Sequence, residues 1–231
     1  MDEDEIKKAI KNIKPNDYLG KGSYGYVYKL DFKGKKYAIK KISKLLIDYN
    51  PRKDLRPYLI AALQKEVDIL KVMSTLENSV GFYGFYEDEE ANEYIIILEY
   101  CDNDLDRLLA SKGTFTSQEI LNILEGLNEP FKYMHNNGII HRDIKPDNIL
   151  IKYIDSSYTK FIPKIGDYGF SRVLDDDGLA HTYVGTPKFM SPELIDYTGE
   201  YTDKSDIFSL GVMIYYLHFK SFPFQFKKKM E

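Results

Sequence analysis

Tryptophan is absent from this chain of 231 residues, and cysteine occurs once, as Cys101. A single thiol excludes a disulfide framework within the chain and suits a reducing compartment, so the cytosol is the expected location, with the nucleus as the alternative. No apolar run approaches the ~20 residues that a membrane-spanning helix needs. The first residues, Met1-Asp2-Glu3-Asp4-Glu5, are acidic where a secretory leader would be basic. Neither sign of charge dominates: 32 Lys and Arg stand against 36 Asp and Glu, a net charge of −4, with the lysines interleaved among acids. The electrostatic footprint of a nucleic-acid binder is therefore missing, as are internal repeats and low-complexity segments. With 43% hydrophobic and 29% charged side chains, the chain can bury a sizeable core and reads as soluble and globular, with no nucleic-acid or membrane partner expected. Oligomeric state is not set by any of this.

Against that background one run carries the most information: Ile139-Ile140-His141-Arg142-Asp143-Ile144-Lys145-Pro146-Asp147-Asn148-Ile149-Leu150-Ile151. It sets an acceptor-only carboxylate (Asp143), an ammonium (Lys145) and a metal-ligating amide (Asn148) on one polar loop between apolar flanks, which suits phosphoryl transfer. A polar loop so flanked is also what an ordinary exposed turn looks like. The joint presence of His141, Arg142, Asp143, Lys145 and Asn148 is what exceeds that reading. Upstream lies Gly20-Lys21-Gly22-Ser23-Tyr24-Gly25-Tyr26-Val27. Its G-x-G-x-x-G spacing is shared with dinucleotide sites, but there the glycines follow a strand and open a helix. Here Tyr26 to Leu30 continues as a β-prone run, Lys33-Gly34-Lys35 marks a turn, and Lys36-Tyr37-Ala38-Ile39-Lys40 makes a second strand. The pattern predicts a hairpin able to fold over phosphates with its backbone N–H groups.

These runs stand in one chain, in order, with Asp167-Tyr168-Gly169 and Gly185-Thr186-Pro187-Lys188-Phe189-Met190-Ser191-Pro192-Glu193. Together they resemble the motif set of eukaryotic protein kinases, serine/threonine type. The resemblance covers about residues 18–226. It implies an α+β, bilobal fold: a β-rich N-lobe (18–98), a hinge (99–103) and a larger, mostly helical C-lobe (104–226) lacking the family's last helices. A helical extension (1–17) and a basic tail (227–231) flank it.

The resemblance also assigns roles. Gly20, Lys21, Gly22, Ser23 and Gly25 would cover the phosphates of ATP, and Lys40 would hold the α- and β-phosphates. Its partner is a glutamate on the next helix: Glu66, with Asp68 as the alternative. Val27, Ala38 and Leu150 would sandwich the adenine, Glu99 and Cys101 would hold it from the hinge, and Leu98 would guard the pocket behind. Asp167 and Asn148 would ligate Mg²⁺. Asp143 would accept the proton of the substrate hydroxyl, Lys145 would neutralise developing charge, and Thr186 would hydrogen-bond beside them. Lys145 with Gly185-Thr186-Pro187 points to a protein substrate with a serine or threonine acceptor. Thr182 is the candidate phosphosite, with Arg142 and Arg172 as phosphate partners. His141 reads as a packed structural histidine, and Asp206 as a brace for the catalytic loop. Tyr168 replaces phenylalanine, so its hydroxyl needs a partner if buried.

Helices are expected over Asp4–Lys14, with Ile6, Ile10 and Ile13 as the apolar stripe, over Leu59–Met73 and over Thr116–Asn136. The first lies on the small lobe or binds a partner. Lys204–Leu217 is apolar nearly all round, which predicts burial on every side. The arginine that pairs with Glu193 in the family is not in the chain, so Glu193 is either wetter here or the chain is a fragment. The reading is thus an ATP-dependent serine/threonine protein kinase, and the alternative is a truncated nucleotide-binding pseudokinase or scaffold without turnover.

Overall fold

The computed structural model describes residues 3–22, 25–44, 56–173, 185–195 and 202–224. Chain contacts divide it into two compact units, Met1–Cys101 with Asp167–Gly169, and Asp102–Gly166 with Phe170–Glu231.

The first unit is built on an antiparallel five-stranded sheet. Its strands are β1 (Tyr18–Lys21), β2 (Tyr26–Phe32), β3 (Lys35–Ser43), β4 (Phe82–Asp88) and β5 (Glu93–Glu99), in the spatial order β1-β2-β3-β5-β4. The β2–β3 hairpin turns through Lys33 and Gly34, both at positive φ (50° and 76°), with Phe32 opposite Lys35. Such two-residue turns match the twist of the strands they join. Strand β5 carries the continuous buried run Ile95-Ile96-Ile97, each at most 3% exposed.

Helix α1 (Glu3–Lys11) covers one face. Ile6 and Ile10, one turn apart, pack on Leu30, Tyr37, Ile39, Ile95 and Ile97, with Ile13 against the edge of that cluster. Of the two placements open to this helix, the structure has it on the sheet. Lys11–Glu90 and Lys33–Glu5 ion pairs and the Lys7 ammonium over the Tyr86 ring line the seam. Helix α2 (Arg56–Met73) buries Leu63, Val67, Leu70 and Met73 at helical spacing.

The Tyr86 hydroxyl in β4 is sealed from water and has no hydrogen-bond partner among the described residues. Burial, helped by the Asp88 and Glu93 carboxylates, pushes this phenol up to about 12. An unfolded tyrosine ionises near 10, so the stability this neutral group confers is complete below pH ~10 and is lost as pH rises through about 12. Tyr86→Phe is expected to be neutral or stabilising by about 1 kcal/mol at pH 8. Its advantage over the native chain in urea unfolding should then widen between pH ~10 and ~12. A Tyr86→Phe chain less stable than native at pH 8 would show that the hydroxyl is bonded.

The second unit holds α3 (Leu105–Lys112), α4 (Ser117–Asn136), the short α5 (Pro192–Ile195) and α6 (Asp203–Phe219). A small sheet orders β6 (Asn103–Asp104), β8 (Ile149–Tyr153) and β9 (Phe161–Ile165), and β7 (Ile139–Ile140) pairs with β10 (Arg172–Val173). Asp104 caps α3 by accepting from the Arg107 N–H at 2.8 Å. Thr116 and Glu119 cap α4 reciprocally, the Glu119 side chain accepting from Thr116 N–H and the Thr116 hydroxyl from Glu119 N–H. Ile120, Ile123, Leu127 and Met134 form its buried stripe.

Helix α6 departs from expectation. Val212, Met213 and Leu217 are buried, but Ile207 and Phe219 are each 57% exposed and Tyr215 is 36% exposed. An all-round apolar sequence sets how many faces can be buried; neighbours decide how many are, and the described neighbours lie on one side.

Candidate active site

Strand register in the first unit brings several predicted residues onto one face. In an antiparallel pair, opposed residues point the same way. Val27 opposes Lys40, Ala38 opposes Leu98, and Ala38 and Lys40 are two apart on β3. Val27, Ala38, Lys40 and Leu98 therefore share the face opposite the one that α1 covers. Gly20 and Lys21 pair with Val27 and Tyr26, and Gly22 N–H donates to Gly25 O at 2.9 Å to close the hairpin tip. Glycine is required at 25, since a Cβ there would lie 2.1 Å from the Lys41 carbonyl oxygen. A Cβ on Gly22 would lie 3.3 Å from the Lys40 stem. Ser23 lies outside the described residues.

Lys40 is 3% exposed. Its Nζ lies 2.5 Å from Glu66 Oε1 and 3.1 Å from Asp167 Oδ1. Glu66 reaches it because it sits on the buried stripe of α2, three residues from Leu63 and four from Leu70. Asp68 points outward, accepting from Gln64 and Lys71, so the choice between the two acids falls to Glu66. Burial pulls the Lys40 ammonium down, but Asp167 and Glu66 together outweigh it and hold it well above the lysine range. Two carboxylates on one ammonium leave a net negative cluster. Burial, with Asp167 adding to it against Lys40, accordingly pushes Glu66 above the ordinary carboxylate range.

Asp167 adopts a left-handed backbone, φ 52°. The Tyr168 hydroxyl does find a partner, Ser79 Oγ, at 2.7 Å. Sequence reasoning did not single out Ser79: a buried tyrosine demands a partner, but nothing in the chain says it lies 89 positions away. Glu99 is fixed by Glu99 N–H to Gly81 O at 2.7 Å and by Gly81 N–H to its own carboxylate at 3.1 Å. Cys101, half-buried, is the last residue of the unit before Asp102 begins the second.

In the second unit the polar loop after β7 is tied down from beneath. Asp206 of α6, 4% exposed, accepts from His141 N–H at 2.7 Å and Arg142 N–H at 2.9 Å. Burial pushes its carboxyl up, and the two N–H groups work against that. His141 is fully buried; its Nε2 faces Gly166 O at 3.0 Å and so donates, leaving Nδ1 to accept from Asp143 N–H at 3.4 Å. That is a structural histidine. Arg142 is left-handed, φ 67°, and this turn delivers Asp143 to the loop's centre.

The Asp143 carboxylate, 4% exposed, is gripped from three sides. Lys145 Nζ lies 2.8 Å from Oδ2, the Thr186 hydroxyl donates to Oδ1 at 2.8 Å, and Asn148 Nδ2 donates to Oδ2 at 2.9 Å. Lys145 Nζ also donates to Thr186 Oγ1 at 2.9 Å. Asn148 Nδ2 bonds Asp143 O at 2.7 Å as well, and a carbonyl only accepts, so the amide orientation is fixed. Gly185 brings the 185–191 segment against this loop: its φ is 115° and a Cβ would lie 2.5 Å from Arg142 O. Leu150, in β8, packs over Gly166, where a Cβ would meet its Cδ1 at 2.8 Å. Glu193 is partly exposed and accepts from Ser205 Oγ at 3.1 Å. Thr182 lies outside the described residues.

An acceptor-only carboxylate held beside an ammonium and a hydroxyl, with a buried lysine–glutamate–aspartate cluster on the other unit, is a set of parts shared with one large family. The profile of the protein kinase domain matches residues 13–231. The chain belongs to the protein kinase domain family. Similar proteins include calcium-dependent protein kinase 5 of Plasmodium berghei (strain Anka), 36% identical over 220 residues, covering 94% of this kinase domain and 36% of that protein. Serine/threonine-protein kinase ULK1 of Homo sapiens is 33% identical over 216 residues, covering 90% of this chain and 19% of its own length. Probable serine/threonine-protein kinase nek2 of Dictyostelium discoideum is 34% identical over 221 residues, 90% of this chain and 48% of that protein. The kinase domain thus spans about a fifth to a half of these relatives.

Proposed function

We propose that the protein is an ATP-dependent serine/threonine protein kinase, transferring the γ-phosphate of ATP to a serine or threonine hydroxyl of a protein substrate. The observation that carries this is the Asp143 carboxylate held by Lys145, Thr186 and Asn148. A carboxylate so positioned can accept and orient a hydroxyl, and an ammonium beside it can neutralise charge that develops on the transferred group. Phosphoryl transfer asks little else of a protein than such placement. The Lys145–Thr186–Asp143 connection also supports serine and threonine over tyrosine, since it follows from the residues that mark that branch of the family.

Lys40, kept charged by Glu66 and Asp167, is the natural holder of the α- and β-phosphates, which Gly20, Lys21, Gly22 and Gly25 would cover. Val27, Ala38, Leu98, Leu150, Glu99 and Cys101 would take the adenine. The donor set fits Mg²⁺: Asp167 offers carboxylate oxygen, and Asn148, with its nitrogen committed to Asp143, offers Oδ1. These are hard oxygen ligands, few enough to leave room for phosphate and water. Bound there, the ion would offset phosphate charge. Phosphorylation of Thr182 remains part of this reading, as does a cytosolic or nuclear setting, which the lone Cys101 supports. No helix among the described residues is long and apolar enough to cross a membrane.

Incubating the native chain with Mg²⁺ and γ-labelled ATP against matched serine, threonine and tyrosine peptides tests the proposal, with Asp143→Ala as background. Label on serine or threonine, about tenfold or more above tyrosine, is expected. Nucleotide binding without transfer to any peptide would instead make the protein a scaffold.

A further inference from the structure

Tyr168 carries one oxygen more than the phenylalanine of the family motif, and that oxygen is enclosed: the side chain is fully buried. Enclosing a phenol is unfavourable unless it is hydrogen-bonded. Ser79, 1% exposed, meets it at 2.7 Å. Ser79 is itself anchored in the turn after α2, its N–H donating to Leu76 O at 3.1 Å. Burial holds the Tyr168 phenol far above the tyrosine range, so it remains an O–H at any working pH.

The neighbouring backbone benefits from such an anchor. Asp167 at φ 52° occupies the left-handed region, which residues with side chains adopt uncommonly, aspartate and asparagine more readily than the rest. Among the side-chain attachments of this segment within its unit are Asp167 to Lys40 at 3.1 Å and Tyr168 to Ser79 at 2.7 Å. The first is a charge pair that a bound cation would compete with. The second is neutral, dry and independent of any ligand.

We propose that Ser79 is a positioning residue for Asp167: its buried hydrogen bond to Tyr168 holds the Asp167–Gly169 turn in the left-handed form that presents the Asp167 carboxylate beside Lys40. This rests on the reading of Asp167 as a ligand of the divalent ion. Removing the bond lowers the fraction of molecules with Asp167 in place, and apparent cation affinity falls by the same factor.

Ser79→Ala, Tyr168→Phe and the double variant, in the full chain, are titrated with Mg²⁺ at fixed ADP and followed by the thermal-midpoint shift. The Mg²⁺ concentration for half-maximal transfer is measured beside it. Each single change is expected to raise half-saturating Mg²⁺ by at least about 1.5-fold and at most the roughly fivefold ratio one hydrogen bond sets, and the double no further than either single. The rate at saturating Mg²⁺ should change less than about twofold. If Ser79→Ala does not fold, Tyr168→Phe, which loses one oxygen, carries the same test. Unmoved half-saturation, even with a lowered midpoint, overturns the proposal and leaves Ser79 as core packing; so do effects that multiply in the double variant. A native chain with neither a Mg²⁺-dependent shift nor transfer removes the kinase reading and this inference together, whereas a responsive native chain with unresponsive variants removes only the inference.

Discussion

Asp143→Ala and Asp167→Asn are each expected to lower the rate of phosphate transfer about 10³-fold while leaving the fold in place. Asp143 is the group that would accept the hydroxyl proton, and Thr186 and Lys145 remain bonded to each other at 2.9 Å when its side chain is removed. The loop is held independently by Asp206, so the lesion stays local. At 167, asparagine is the informative replacement. It tolerates the left-handed φ of 52° nearly as well as aspartate, so the turn persists, but it removes the negative charge and one hard oxygen donor. Because Lys40 keeps Glu66 at 2.5 Å, the buried cluster loses a surplus charge, not its only counterion. Urea unfolding should therefore shift by no more than about 1 kcal/mol in Asp167→Asn. Retention of more than about a tenth of native transfer by either variant would contradict the roles assigned.

Asp206→Ala should destabilise the chain by about 3 to 5 kcal/mol. Its buried carboxylate accepts from two consecutive N–H groups, His141 and Arg142. Hydrogen bonds to a charged acceptor contribute roughly 1.5 to 3 kcal/mol each. Part of that is offset, since burial makes the ionised carboxyl itself costly, as its upward shift records. A loss of this size is a large share of a typical 5 to 15 kcal/mol. Arg142, at φ 67°, would lose what holds its turn, so transfer should fall too. Asp206→Asn should lie between, since its one carbonyl can serve one N–H while its amide nitrogen faces the other. A loss below about 1 kcal/mol for Asp206→Ala would mean the loop is held by something else.

Much of this was legible in the chain because the motifs are local. Asp143, Lys145 and Asn148 lie within six residues, and their mutual contacts follow from a single short loop. The β2–β3 hairpin was readable from Lys33-Gly34 between β-prone runs, and the helices from apolar spacing. Glu66 against Asp68 was not decidable by spacing alone, because both sit near the apolar stripe; packing of Leu63, Val67 and Leu70 turned one inward and the other out. Helix α6 shows the opposite failure. Its composition permits burial all round, but Ile207 and Tyr215 are exposed, since hydrophobicity states a preference and cannot supply a neighbour.

By itself, then, the sequence determined the chemistry on offer: which acids, ammonium groups and glycines exist, in what order, and which short segments fold as loops, strands or helices. Only the tertiary structure decided which distant groups meet. Lys40 and Glu66 are 26 positions apart, His141 and Asp206 65, and Ser79 and Tyr168 89. Local spacing is fixed by backbone geometry, which every short segment carries within it. Meetings over such separations are fixed by the packing of buried side chains across strands and helices, which no short segment contains.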